Sequence, residues 1–499
     1  MQTYEQLLEE NRALRAENAE LKRLLSAALA RIADLEARLG MNSRNSSKPP
    51  SSDPPNAAAR PKRPPSGRKR GGQPGHPGTS RPLLPPGKVT RTVDLKPEKC
   101  ERCAAALHGT DAEPIRSQVT DLPPIRPDVT EYRQHTLVCD RCGAKTTAQL
   151  PPGVGGSAFA PRLKAILSLL SGPWCKLSRR TVEWLMESLF NVDISLGSVS
   201  ACEQTVSEAV AAPVEEARQH AWASPEAYVD ETGFRQAVQA EPQEQHGTAD
   251  EGAPPAEVPA KSSAKAWLWT AVTPLVTVFL VHAKRSAVAA AKLLGSFAGT
   301  LVSDRWSAYS FIDAARRQLC WAHLLRDFEW IAEFGGEAKA IGQSLVAETR
   351  LLFTWWHELK EGGLTRSGFQ ERMAPLTARV EALLEQCAAG PHQASAGRCR
   401  RILTLRAALW TFVAREGVEP TNNAAERALR PAVIWRTLGL GSASDRGSRF
   451  VGRILTVAAT CRQQGRNVLD YLVAACEAHA RGERAPSLLP QVAEERLAA

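Results

Sequence analysis

Ala227-Tyr-Val-Asp230-Glu-Thr-Gly-Phe234 and Thr300-Leu-Val-Ser-Asp304-Arg-Trp306 are the stretches on which the fold turns. Each is a short run of strand-forming residues that closes on an aspartate, the first followed by a turn. Between them, Ala266-Trp-Leu-Trp-Thr-Ala-Val272 and Thr277-Val-Phe-Leu-Val-His-Ala283 fit a hairpin across a turn containing Pro274, and an Ala-rich helix covers 286–298. The polar stretch 236–264, rich in Gln, Glu, Ala and Pro, reads as a disordered insertion in the first hairpin loop. Downstream, Gln318-Leu-Cys-Trp-Ala-His323 reads as a strand entering a helix, and Thr421-Asn-Asn-Ala-Ala-Glu426-Arg-Ala-Leu-Arg430 begins another helix.

Taken singly, the acids have ordinary uses. Asp230 and Asp304 suit turns or caps after strands, and Asn423-Ala-Ala-Glu426 is a capping-box pattern. Taken together, two aspartates at the ends of neighbouring strands and a glutamate on a facing helix make an oxygen cage for two divalent cations. Phosphodiester cleavage needs such a cage, with ions about 3.5–4 Å apart. Hard Mg²⁺, or Mn²⁺, suits carboxylates. On the last helix Arg430 lies one turn after Glu426, and Pro431 should kink or end the helix just beyond. Arg427 and Arg430 are candidates to hold phosphate oxygens. His323 is expected to be a core or supporting residue, and Glu231 to point to the other strand face.

Charge points to an acidic partner. Of 499 residues, 63 are Lys or Arg and 53 Asp or Glu, for a net charge of +10. Residues 41–91, with eleven Lys or Arg and Asp53 their one acid, account for all of that excess, so nucleic acid is the first candidate and a membrane surface the second. The opening MQTYEQLLEE is acidic and lacks the apolar core of a secretion signal. The longest apolar run, near Ala266–Val281, is interrupted by Thr and Pro274. A soluble cytoplasmic protein, nucleoid-associated when bound to DNA, is expected, with no membrane partner.

From Tyr4 to Leu39 a heptad register places Tyr4, Asn11, Asn18, Leu25, Ile32 and Leu39 at a, and Leu7, Leu14, Leu21, Ala28 and Leu35 at d. The g–e pairs Glu10–Arg15, Glu17–Lys22 and Arg31–Glu36 are complementary, and Asn at a favours a two-stranded parallel zipper. A single amphipathic helix packed on its own core is the competing reading. Residues 41–91 read as an extended basic linker in which Arg68, Lys69 and Arg70 can neutralise phosphates. Cys100-Glu-Arg-Cys103 and Cys139-Asp-Arg-Cys142 are two C-x-x-C pairs suited to one structural Zn²⁺, with a redox dithiol pair as the rival. Gly143 suits the left-handed residue after a knuckle; Ala104 in the matching place makes the first knuckle less regular. The other seven cysteines read as packing residues. Residues 161–212 outline a helix-turn-helix, with Ser178 as a cap, a break at Asn191–Gly197, and Arg179 and Arg180 as candidate DNA contacts.

The chain resembles the insertion-sequence sixty-six family of DDE transposases along nearly its whole length. The resemblance rests on the zipper, NSSKPPSSD, GGQPGHPG, the Cys-rich segment, YVDETGF, DRWSAY, CWAHLLRDF and NNAAERALRP, in that order. It implies a multidomain α/β protein with a ribonuclease-H-like catalytic domain in which Asp230, Asp304 and Glu426 bind the metals. The expected organisation is a zipper at 1–40, a linker at 41–91, a zinc-ribbon-like module at 92–150 and a helical DNA-binding region at 158–222. The catalytic domain follows at 223–436 with an α-helical insertion at 337–412, and a helical region closes the chain at 437–499. DNA cleavage and strand transfer at transposon ends are implied, possible companion proteins of the same element included. The alternatives are a DNA-binding regulator without working chemistry, and a nuclease that hydrolyses without joining.

Overall fold

The computed structural model describes residues 4–39, 81–155, 157–237, 263–438 and 441–490. Most of the linker, with Arg68, Lys69 and Arg70, and positions 238–262 of the polar insertion lie outside the described residues. Helix α1 (Tyr4–Leu39) is continuous, and its seam residues Tyr4, Leu14, Leu21, Leu25 and Ile32 are exposed. A small antiparallel hairpin of β1 (Thr136–Val138) and β2 (Lys145–Thr147) carries the second C-x-x-C pair, Cys139 and Cys142, in its turn.

Four helices come next: α2 (Pro161–Ser171), α3 (Arg179–Phe190), α4 (Leu196–Ala209) and α5 (Ala211–Trp222). Ser178 caps α3 by accepting from the Thr181 amide, Asn191 ends it in the left-handed region, and Ser195 caps α4 through the Ser198 amide. These are the signals of a helix–turn–helix outline. Helix α4 packs against α2 and α3 and against two C-terminal helices described below. Its outward residues Gly197, Ala201 and Glu208 carry no positive charge.

The central element is a mixed five-stranded sheet in the order β5-β4-β3-β6-β7. Its strands are β3 (Glu226–Ala237), β4 (Ser263–Val272), β5 (Thr277–His282), β6 (Thr300–Ser303) and β7 (Arg317–Leu319). The first three form an antiparallel meander; β6 and β7 run parallel to β3. This order is consistent with a ribonuclease-H-like DDE domain. The strand does not end at Asp230, as the sequence suggested. It continues to Ala237, because β4 pairs with it from Tyr228↔Val272 to Ala237↔Ser263, so Gln236, Ala237, Ser263 and Ala264 belong to strands rather than to the insertion.

Helix α6 (Ala287–Leu294) is shorter than the expected 286–298. Gly295, at φ +50°, ends it against Trp222, where a Cβ would fall 2.3 Å from the ring. Beyond β7 come α7 (Trp321–Ala332), α8 (Gly336–Lys360), α9 (Arg366–Ala389), α10 (Gln393–Leu403) and α11 (Thr411–Ala414), then α12 (Asn423–Leu438), α13 (Asp445–Gln463) and α14 (Val468–Ala480). Strand alternation separates two cores: Ala227, Val229 and Leu301 pack with α2, α5, α6, α13 and α14, while Tyr228 and Val302 pack with α7 to α10, joined there by Leu319 at the end of β7. Pro431 does not end α12, which runs seven residues further because Ala432 is buried and Trp435 stacks on Phe234 at 5.8 Å.

Both sheet edges are closed by side chains. On β5, the Thr277 and Phe279 amides donate to Thr460 Oγ1 (3.1 Å) and Thr456 Oγ1 (3.0 Å) of α13, and Thr460 Oγ1 donates back to the Thr277 carbonyl (3.0 Å). On β7, Thr411 Oγ1 donates to the Arg317 carbonyl at 2.6 Å. Thr460 is fully buried. Thr460→Val should therefore leave two backbone groups of Thr277 unpaired and lower stability by about 1–3 kcal/mol, read as a shift in the denaturation midpoint with an unchanged slope.

Candidate active site

The parallel register of β3 with β6 runs Glu226↔Thr300, Ala227↔Leu301, Tyr228↔Val302. Extended by two residues, it places Asp230 beside Asp304, on the same face as Tyr228 and Val302. Strand β6 ends at Ser303, while β3 continues in its pairing with β4, so the sheet opens between the two acids. Ligand sites on open α/β sheets form at such separations of neighbouring strands.

The chain segments at this opening are stitched by the residues before α12. Asn422 is 1% exposed, and its Nδ2 donates to the Val229 carbonyl at 2.8 Å. Its backbone amide donates to Cys320 Sγ at 3.2 Å, and the Trp321 amide donates to the Pro420 carbonyl at 2.8 Å. The Cys320 amide in turn donates to the Ser303 carbonyl at 2.9 Å. Glu426 thus enters above the acids on the first turn of α12. Because the helix starts at Asn423, Asn422 precedes it and the capping-box register read from the sequence is displaced by one residue. The Glu426 amide bonds the Asn422 carbonyl at 3.2 Å, and the Glu426 carboxylate faces His323 Nε2 (3.8 Å) and Arg326 (3.9 Å) of α7.

Burial pushes the Asp230 carboxyl well above the usual range, and the negative charges of Glu231, Asp304 and Glu426 add to that. Its Oδ1 accepts from the Glu231 amide at 2.9 Å, and Asp304 Oδ1 accepts from the Trp306 amide at 2.9 Å. The fully buried Arg317 donates to the Asp304 carbonyl at 3.1 Å and to Ser303 Oγ at 3.3 Å, fixing the end of β6 from below. Glu231 points to the opposite face. Its carboxylate is only 2% exposed, accepting from Arg285 at 2.6 and 2.8 Å and from Tyr309 at 2.7 Å. The Arg285 guanidinium lies 4.0 Å over Trp306, whose amide holds Asp304, so this network braces the turn after β6.

The three acids converge on one end of the sheet, although their ligand oxygens do not all lie within 4.8 Å of one another. Among the described residues, the group that does is Cys320, His323 and Glu426. Arg427 and Arg430 are exposed on α12, and Arg326 from α7 is the arginine beside Glu426. Arg180 is exposed, whereas Arg179 pairs with Glu203 of α4 at 2.5 Å and is committed to joining the two helices.

The four paired cysteines form two matching knuckles. Cys100 N bonds Ala105 O and Ala104 N bonds Cys100 O; Cys139 N bonds Ala144 O and Gly143 N bonds Cys139 O. Ala104 (φ 58°) takes the same left-handed conformation as Gly143 (φ 71°), so the first knuckle is as regular as the second, at some strain. Backbone amides of each knuckle hold the Cys100 and Cys139 thiols below their usual range, led by Cys103 at the first and Arg141 at the second. The two pairs stand apart, since the four sulfurs form no group within 4.8 Å.

The family model described as "Transposase IS66 family" matches residues 178–449, more than half the chain. The chain belongs to this family, a class of DDE transposases. A second model, "Family of unknown function (DUF6444)", matches residues 3–82. A protein of Sinorhizobium fredii (strain NBRC 101917 / NGR234) named "Uncharacterized protein y4qI" is 29% identical over 250 residues, covering 45% of this chain. The chain spans 46% of that relative's length. Among the described residues no helix is long and apolar enough to cross a membrane.

Sequence reasoning missed Asn422, Arg317, Arg285 and Tyr309, which act through contacts between distant segments. Asn422→Ala should lower stability by about 1–3 kcal/mol by leaving the Val229 carbonyl unpaired, measured by chemical denaturation.

Proposed function

We propose that this transposase cuts DNA strands at transposon ends and joins the liberated 3′-hydroxyl to target DNA, with Asp230, Asp304 and Glu426 holding two divalent cations, Mg²⁺ or Mn²⁺. The observation that carries the reading is the placement of Asp230 on β3 beside Asp304, the residue just past the end of the parallel neighbour β6, with Glu426 on the first turn of α12 close enough for its charge to act on Asp230. The residues fit the ions. Asp230 is raised by burial and by three neighbouring carboxylates, and neither Asp230 nor Asp304 has an ion-pair partner among the described residues. Burial and these like charges disfavour the Asp230 carboxylate until a cation enters.

Bound ions would activate the attacking oxygen and stabilise the leaving oxygen of a phosphodiester. The protein's own share is geometric. The amides of Glu231 and Trp306 fix one oxygen of each aspartate and leave the other free to ligate. Arg326 stands beside the carboxylate set, where it can pair with a phosphate oxygen. No side chain needs to form a covalent bond with DNA.

The two knuckles, Cys100/Cys103 and Cys139/Cys142, supply the four thiolates of a closed structural Zn²⁺ site, which would draw them together. The basic linker with Arg68, Lys69 and Arg70, the exposed Arg180, and Arg427 and Arg430 supply phosphate contacts. Arg179 is left to its ion pair. The exposed seam of α1 is read as a parallel two-stranded zipper that holds two protomers, and so two transposon ends, together.

Asp230→Asn, Asp304→Asn and Glu426→Gln should each abolish Mg²⁺-dependent nicking of labelled transposon-end DNA while end binding persists. Full cleavage by any one variant removes that residue from the set. Binding without cleavage by the wild type in either metal would favour a regulator, and cleavage without joined products a nuclease. Deleting residues 1–39 should lower the mass seen by light scattering to that of a monomer; an unchanged mass places the assembly elsewhere.

A further inference from the structure

Cys320 is 1% exposed at the junction of β7 and α7, with its sulfur accepting from the Asn422 amide at 3.2 Å. One turn on, His323 directs Nε2 toward Glu426 Oε1 at 3.8 Å, beyond hydrogen-bond reach. Its Nδ1 is buried without a hydrogen-bond partner, and so is Asn422 Oδ1. With Nε2 facing Glu426 beyond hydrogen-bond reach as well, neither nitrogen of this largely buried ring is committed to a protein partner, a rare state that leaves the imidazole available to a ligand. The ligand atoms of Cys320, His323 and Glu426 all lie within 4.8 Å of one another. Sulfur, imidazole nitrogen and carboxylate oxygen together are the donors of zinc-class ions, whereas Mg²⁺ takes oxygen.

We propose that Cys320, His323 and Glu426 form a site for a thiophilic divalent cation of the zinc class, which shares Glu426 with the all-oxygen set of Asp230 and Asp304. Three protein ligands leave a fourth position for water. On binding, the Cys320 S–H bond breaks, its proton passes to solvent, and the sulfur's electron pair forms the bond to the metal. Because Glu426 cannot serve both sets, a zinc-class ion at Cys320 displaces it from the hard-metal set and inhibits cleavage. That consequence rests on the role proposed above for Glu426; the site itself does not.

The test is Cd²⁺ binding to the full chain, followed by cadmium–thiolate ultraviolet absorption and by total bound metal. Wild type should bind one equivalent more than Cys320→Ser and one more than His323→Ala, with circular dichroism verifying that each variant is folded. Equal equivalents in all three proteins overturn the site. In Mg²⁺-dependent nicking, the Zn²⁺ concentration giving half inhibition should rise at least tenfold in Cys320→Ser, and an unchanged value overturns the competition. Nicking retained by Glu426→Gln would instead overturn the hard-metal reading and leave the cadmium count standing.

Discussion

One hydrogen bond, from the Asn422 carboxamide to the Val229 carbonyl, governs the arrangement of the site. A strand carbonyl at the point where its parallel neighbour ends would face an empty ladder position, and a buried carbonyl without a partner costs about 1–3 kcal/mol. Strand β6 ends there at Ser303, one residue before Asp304, and a side chain from a segment 193 residues away completes the ladder. The same residue precedes α12, so satisfying the sheet and delivering Glu426 to the two aspartates are one event.

The surrounding structure supports that junction. The antiparallel meander keeps β3 extended past Asp230, and α13 occupies the outer edge of β5 with threonine hydroxyls. The helices from α7 to α10 form their own core against Tyr228, Val302 and Leu319, giving α7 a firm base from which His323 and Arg326 reach Glu426. On the opposite face Glu231, Arg285, Tyr309 and Trp306 lock the turn that carries Asp304. A carboxylate cluster is electrostatically unfavourable without cations, and a rigid frame on both faces keeps the like charges from moving apart.

Much of this was legible in the sequence, for physical reasons that differ by element. The strands around Asp230 and Asp304 announced themselves by β-branched and aromatic residues, and the cap Ser178 by its chemistry. The acids stood out because a transposase family signature runs through them. Where local rules were read alone they misled. Asp230 looked like a strand end, but pairing with β4 carries the strand seven residues further. Pro431 looked like a kink or a helix stop, and α12 continues past it with Trp435 stacked on Phe234. Ala104 looked like an irregular knuckle residue, yet it adopts the left-handed turn that two amide bonds impose. Cys320 and Asn422 were invisible as partners because their spacing in the chain, 102 residues, carries no periodic signal.

The central claim is that the junction built by Asn422 gathers three carboxylates into one cation site. Crystals of the full chain grown with Mn²⁺ and measured at the manganese absorption edge test it most directly. The account predicts anomalous density ligated by Asp230, Asp304 and Glu426 in the opening between β3 and β6. Manganese bound elsewhere with that opening empty would contradict it.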